Sequence, residues 1–293
     1  MSVFKDQPFL LFSVGLLLTT GSFDLIMKQV YTLRINTTEN IGIHEIPTEQ
    51  VWQWLAAAWK DIQQAPGQSL FFGTSLTLLS IVISVGVTVT GNYYLLLPLL
   101  AGFLLIAPFI GIGPYSISQQ LEHSENSSLK VASLAWSQNS LQLFSMGVVL
   151  LVSFVVWFML ARLIFFSFYD GQIPSDWQGY ISVVLGSWEG LQILSVGTFV
   201  GGMVAIAVFA LSAVSIPMLM DRPVSFISAM RTSLAAVRYN LVSMLLWGGM
   251  LVTIIYACFM TAFLGFIIGF PLAAHGTWHA YRDLVTINDR QLD

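Results

Sequence analysis

The sequence predicts an all-α integral membrane protein: a six-helix transmembrane bundle with an internal two-helix repeat and cytoplasmic amphipathic helices. Three observations carry that expectation. Apolar segments long enough to cross a bilayer, about 20 residues at 1.5 Å each, recur from Ser69 almost to the C-terminus. Only 9% of the 293 residues are charged, and the mean hydropathy is +0.78. Ten of the eleven Lys and Arg residues fall on one side of a simple threading, so the positive-inside rule assigns that side to the cytoplasm.

Six spans are expected, at about 69–90, 93–116, 141–168, 191–219, 241–261 and 263–281. The last two divide an apolar run too long for one helix, and the division falls near Thr261–Gly265. Lys5, Lys28, Arg34 and Lys60 precede the first span, and Lys130 follows the second. Arg222, Arg231 and Arg238 follow the fourth, and Arg282 and Arg290 follow the sixth. The opposite loops hold Asp170, Asp176 and Glu189 and no base. The chain then divides into an N-terminal interfacial segment (1–68), a membrane domain (69–283) and a short cytoplasmic tail (284–293). Phe9–Thr20 is apolar for only 12 residues, which suits an interfacial or buried segment, an uncleaved anchor being the alternative.

Within the N-terminal segment an amphipathic helix is expected at about 48–63, with Trp52, Leu55, Trp59 and Ile62 at helical spacing. A repeat appears when Asn139 and Asn240 are aligned. Leu129-Lys130-Val131-Ala132 then matches Met230-Arg231-Thr232-Ser233, and each copy follows a span ending around a proline, Pro108 or Pro217. Both copies face the same way, so their symmetry axis runs along the membrane normal. Small residues at Gly197, Gly201 and Ala205, and at Gly265 and Gly269, form rows that let neighbouring backbones approach.

Chemistry-bearing residues are few. One cysteine, Cys258, excludes a disulfide framework, and the scattered bases exclude a nucleic-acid surface. Gly111-x-Gly113 runs into Pro114 and is no dinucleotide fingerprint. His275 and His279 share one helical face at the spacing that can clamp a metal or face a haem, but no third ligand is apparent in the sequence, so no cofactor is expected. Arg162, the only base inside a span, is expected to pair with Glu189 in a structural ion pair. No span carries an acid near its centre, which leaves little for a proton or cation relay and supports no enzyme assignment.

Four stretches resemble a bacterial multi-pass membrane family, domain of unknown function 2189. They are Trp54-Leu55-x3-Trp59-x-Asp61-x3-Ala65-Pro66; Pro98-x3-Gly102-Phe103-Leu104-x3-Pro108, continuing through Tyr115-Ser116-Ile117-Ser118 to Leu121-Glu122; Ser215-Ile216-Pro217-Met218-Leu219-x-Asp221-Arg222; and His275-x2-Trp278-His279-x-Tyr281-Arg282-Asp283. The family tends to carry bases before its Leu-Glu pair, where this chain has Gln119 and Gln120. The resemblance implies a bacterial inner-membrane protein without an established activity. The family's loose association with homologues of cytochrome c oxidase subunit I draws attention to the two histidines, although this chain has none at mid-membrane depth. The expected role is a non-catalytic accessory, assembly or regulatory component of another membrane complex, with a small-solute transporter or lipid-handling protein as the alternative. Its partners would be the bilayer and another membrane protein or a second copy of itself.

Overall fold

The structure, a computed structural model, describes residues 41–123, 126–171, 174 and 176–287; Phe9–Thr20 lies outside them. It is built almost wholly of helices. A short strand β1 (Ile41–Ile43) leads to α1 (Gln50–Gln64), and Ala65-Pro66 passes the chain into α2 (Pro66–Val89). Then follow α3 (Leu96–Ile110), α4 (Ile112–His123), α5 (Leu129–Ser133), α6 (Ser140–Phe168) and α7 (Trp177–Gly186). The remainder is α8 (Trp188–Ser212), α9 (Ser215–Asp221), α10 (Phe226–Tyr239), α11 (Leu241–Met260), α12 (Phe266–Leu284) and β2 (Val285–Ile287). β2 pairs antiparallel with β1, Gly42 opposite Thr286, and so ties together the two ends of the described chain.

Among the described residues, five stretches are long and apolar enough to cross a membrane: Pro66–Val89, Tyr93–His123, Ser140–Phe168, Trp188–Asp221 and Leu241–Met260. The sixth expected span corresponds to α12, which is helical but carries His275, His279, Arg282 and Asp283 and buries most of its surface. The break between α11 and α12 falls at the expected place, where Ala262 and Phe263 take positive φ of 50° and 71° to reverse the chain. That turn packs on the middle of α2: Thr77 Oγ1 donates to the Phe263 carbonyl at 3.1 Å. It therefore sits about 18 Å short of the outer end of α2 at Val89, at 1.5 Å per residue. Relative to α2, the α11–α12 hairpin rises from the inner side, turns back part-way and returns Arg282 to the side of the other bases. An uninterrupted sixth crossing is not what the contacts describe.

The amphipathic α1 forms close to its expected bounds, but another face is buried. Val51, Trp54, Ala58, Asp61 and Ile62 turn inward, while Trp52 and Trp59 stay exposed. The inward face packs along the second half of α12, and the Trp54 ring also meets the Trp247 ring of α11 edge-to-face at 5.5 Å. Helix α7 lies in the loop between the third and fourth expected spans, where no helix is expected from the sequence; the Asp176 side chain caps it by accepting from the Gly179 N–H at 2.8 Å.

Both halves of the repeat contain a broken helix. The second crossing breaks at Gly111 into α3 and α4, and the fourth breaks at Ala213–Val214 into α8 and α9. After each break comes a short helix with proline at its third position, in Ile112-Gly113-Pro114 and Ser215-Ile216-Pro217. The structural counterpart of Pro217 is thus Pro114, whereas Pro108 lies inside α3. A proline near a helix start loses no needed hydrogen bond, which is why it recurs there. Val214, at the second break, donates its N–H to Ser233 Oγ at 3.1 Å. The two aligned asparagines both precede an outgoing helix. Asn139 donates to the Leu219 carbonyl at 3.2 Å, and Asn240 accepts from the Ile46 N–H at 2.7 Å and donates to the His44 carbonyl at 2.8 Å.

Close approach at glycine holds the apolar half. A Cβ on Gly73 would collide with the Ile267 carbonyl of α12, whereas one on Gly86 would meet nothing within 4 Å. Gly73→Ala is expected to destabilise the detergent-solubilised protein by about 1–3 kcal/mol, seen as a lower melting temperature, with Gly86→Ala unchanged. Equal melting temperatures for the two variants would contradict this packing.

Candidate functional site

The four stretches singled out in the sequence converge at the inner end of the bundle, around the second half of α12. Successive residues there point in different directions at 100° steps, so one helix can meet several neighbours. Asp61 of α1 is 6% exposed and accepts from Ser118 of α4 at 2.6 Å and from His279 Nε2 at 2.8 Å. His275 Nδ1 lies 2.7 Å from Ser118 Oγ and 3.9 Å from the same Asp61 oxygen, and its Nε2 lies 3.0 Å from Ser69 Oγ of α2. Hydrogen-bond valence orients the chain. A hydroxyl has one proton, and Ser118 gives it to the carboxylate, so Ser118 accepts the His275 Nδ1 proton and the bare Nε2 accepts from Ser69. Burial opposes the Asp61 charge, but the hydrogen bonds from His279 and Ser118 outweigh it, and the carboxyl lies below its ordinary 3.8.

A second layer surrounds this one. Asp283 accepts from Trp54 Nε1 at 2.7 Å and Gln50 Nε2 at 2.8 Å. Glu122 of α4 accepts from Trp278 Nε1 at 3.0 Å and pairs with Arg282 Nε at 3.2 Å. Asp221 of α9 accepts from the Tyr281 hydroxyl at 2.7 Å and from Arg282 at 3.2 Å. Residues of α12 thereby bond to α1, α2, α4 and α9 within three turns.

Ser69, His275, Ser118 and Asp61 form a series resembling a nucleophile–base–acid relay with one extra hydroxyl. It is sealed, however: Ser69 and His275 are fully buried, and neither adjoining cavity is lined by them. One cavity, about 790 Å³, lies among α2, α4, α5 and α6; the other, about 320 Å³, lies among α3, α8, α11 and α12.

The paired histidines do not stand alone as the sequence suggested, because Asp61 joins them from 218 residues away. Among the described residues, no group of three or more His, Cys, Asp or Glu is disposed to hold a metal. The expected Arg162–Glu189 ion pair is not formed; the Arg162 guanidinium stands 5.8 Å from the Phe166 ring centre, one turn along its own helix. Of the small-residue rows, Gly201 faces the Trp157 ring and Gly265 and Gly269 face Cys258, while Gly197 has no heavy atom near its Cβ position and Ala205 lines the smaller cavity.

These elements define a helical, multi-pass integral membrane protein. The family described as a predicted integral membrane protein, domain of unknown function 2189, matches residues 96–221, and it is the family that the four stretches resemble. The match runs from α3 to α9, so the Asp61 and His275–Asp283 stretches complete the site from outside it. No curated protein and no solved structure matches the chain.

Removing the carboxylate leaves two donors without an acceptor, one of them on the part-exposed His279. Asp61→Ala should therefore cost about 2–4 kcal/mol, read as a lowered melting temperature in detergent. The depressed carboxyl gives a matching acid limit: folded Asp61 holds its proton less tightly than the unfolded chain, so its contribution is complete above the unfolded value of 3.8 and lost as pH falls through the folded one. Wild type should lose more stability than Asp61→Asn on acidification below about pH 4; parallel profiles would show that Asp61 is not the responsible group.

Proposed function

We propose that the chain is a non-catalytic integral membrane protein of the bacterial inner membrane, with its charged end in the cytoplasm, that assembles with or regulates another membrane complex. The observation that carries this reading is the closed state of the inner polar network. His275, Ser69, Ser118 and Asp61 are hydrogen-bonded in series and line neither of the two cavities described above, so the groups most capable of chemistry are committed to holding helices together. Structural commitment of this kind suits a rigid platform. The same end exposes Trp52 and Trp59 on α1, Leu134 and Trp136 after α5, and Ile227 and Leu234 on α10. Apolar side chains beside a basic cytoplasmic rim suit contact with lipid headgroups and with a neighbouring protein.

A second reading, lipid handling, is favoured by one observation: the smaller cavity is walled by apolar helices and glycine, with polar groups confined to one end. Purification from native membranes in a gentle detergent through a C-terminal tag separates the readings. A discrete particle with a stoichiometric second protein is the expected outcome. A monodisperse particle of this chain alone, carrying lipid, would overturn the accessory role in favour of lipid handling.

A further inference from the structure

The smaller cavity is a cleft between α8 and α11, floored by α3 and α12. Its mouth is flanked by Ile206, Leu245 and Val252, each about half exposed, on helices whose composition suits immersion in a bilayer. The medium at that mouth is therefore hydrocarbon. Glycines stand on both walls: Gly202 on α8, and Gly248 and Gly249 on α11. Small residues in membrane helices commonly mark close packing, yet a Cβ at Gly202 or Gly249 would meet no heavy atom within 4 Å. Here the missing side chains leave room open.

Two of the lining hydroxyls are already engaged. Ser212 Oγ donates to the Val208 carbonyl at 2.7 Å and Thr277 Oγ1 to the Ala273 carbonyl at 2.8 Å. The surface offered to an occupant is thus apolar except at the Tyr115–Thr277 end. Thr277 lies two positions from His279, and Tyr115 three from Ser118, so this end of the cleft adjoins the cytoplasmic network.

Size selects the occupant. At about 320 Å³ the cleft falls at the small end of ligand pockets, roughly 300–1,000 Å³. A methylene takes about the volume of a water, roughly 30 Å³, so about ten methylenes of one extended chain would fill it. We infer that this cleft is a binding site for one acyl chain of a phospholipid from the cytoplasmic leaflet. The site is independent of the accessory role, since a complex could form without it and lipid could bind without a partner.

Filling substitutions test it. Gly202→Leu and Gly249→Leu place apolar bulk where nothing stands, whereas Gly197→Leu does the same outside the cleft. Native mass spectrometry of the purified protein should show about one retained phospholipid per chain in wild type and Gly197→Leu, and at least about a fivefold loss in the cleft variants, at unchanged melting temperature. Equal retention in all four proteins would overturn the site. A photoactivatable phospholipid with a diazirine in its acyl chain gives an independent reading on wild type in nanodiscs. Adducts are expected on Phe209, Met244 and Leu251 inside the cleft. Labelling that follows exposure alone, strongest at Phe199 and Leu151, would refute the assignment even if the glycine variants failed to fold. Retention of a different apolar molecule, identified by its mass, would equally refute the phospholipid assignment.

Discussion

The inner end of this protein depends on a single buried carboxylate. Isolating the Asp61 charge from water is costly unless donors replace the lost hydration, and those donors come from two other helices, Ser118 on α4 and His279 on α12. Meeting that requirement brings α1, α4 and α12 together. His275, held by Ser118 on one ring nitrogen, extends the restraint through the other to Ser69 on α2. Four elements from three separate parts of the sequence are thereby fixed by a chain of hydrogen bonds whose direction is set by the charge at its end.

Different physics governs the two halves of the bundle. At the charged end, Glu122, Asp221 and Asp283 receive indole, phenol and guanidinium donors from α1 and α12, so polar pairing sets the register. Toward the other side, lipid gives helices little hydrophobic reason to associate, and close contact supplies the cohesion. Gly73 against the α12 backbone, and Gly102 and Gly201 against the Phe154 and Trp157 rings, are its local form. The cleft between α8 and α11 lies where such contact is missing, directly above the polar base. A rigid base beneath an apolar opening is compatible both with a platform for another membrane protein and with a seat for a lipid chain.

Hydropathy and charge alone located the helices well, because each crossing must be apolar over a fixed length and each base must stay near water. The turn between α11 and α12 was legible at Thr261–Gly265 for a related reason: the apolar run exceeded one helix. Its depth was not legible, since nothing local records that Thr77 will meet Phe263 in the middle of α2. Asp61 illustrates the larger limit. As a sequence position it is one acid on an amphipathic helix, and only the resemblance motif marked it. Its partner lies 218 residues away, and hydrogen-bond complementarity across that distance leaves no periodic signal. Arg162 errs in the other direction, because a plausible acid within reach in sequence terms was not its neighbour in space; Phe166, four residues along the same helix, was. The paired asparagines mark the repeat in the sequence, but only the helix breaks at Gly111 and Ala213–Val214 select Pro114, rather than Pro108, as the counterpart of Pro217.

The central claim is that Asp61 and Ser118 act as one unit joining α1 to α4, and a double-mutant cycle on unfolding in detergent tests it most directly. Asp61→Ala, Ser118→Ala and the double variant should show a coupling of at least about 1 kcal/mol, the range expected for residues sharing a buried network. Additive effects, with coupling within about 0.3 kcal/mol of zero, would contradict the account and reduce the hydrogen-bonded chain to independent contacts.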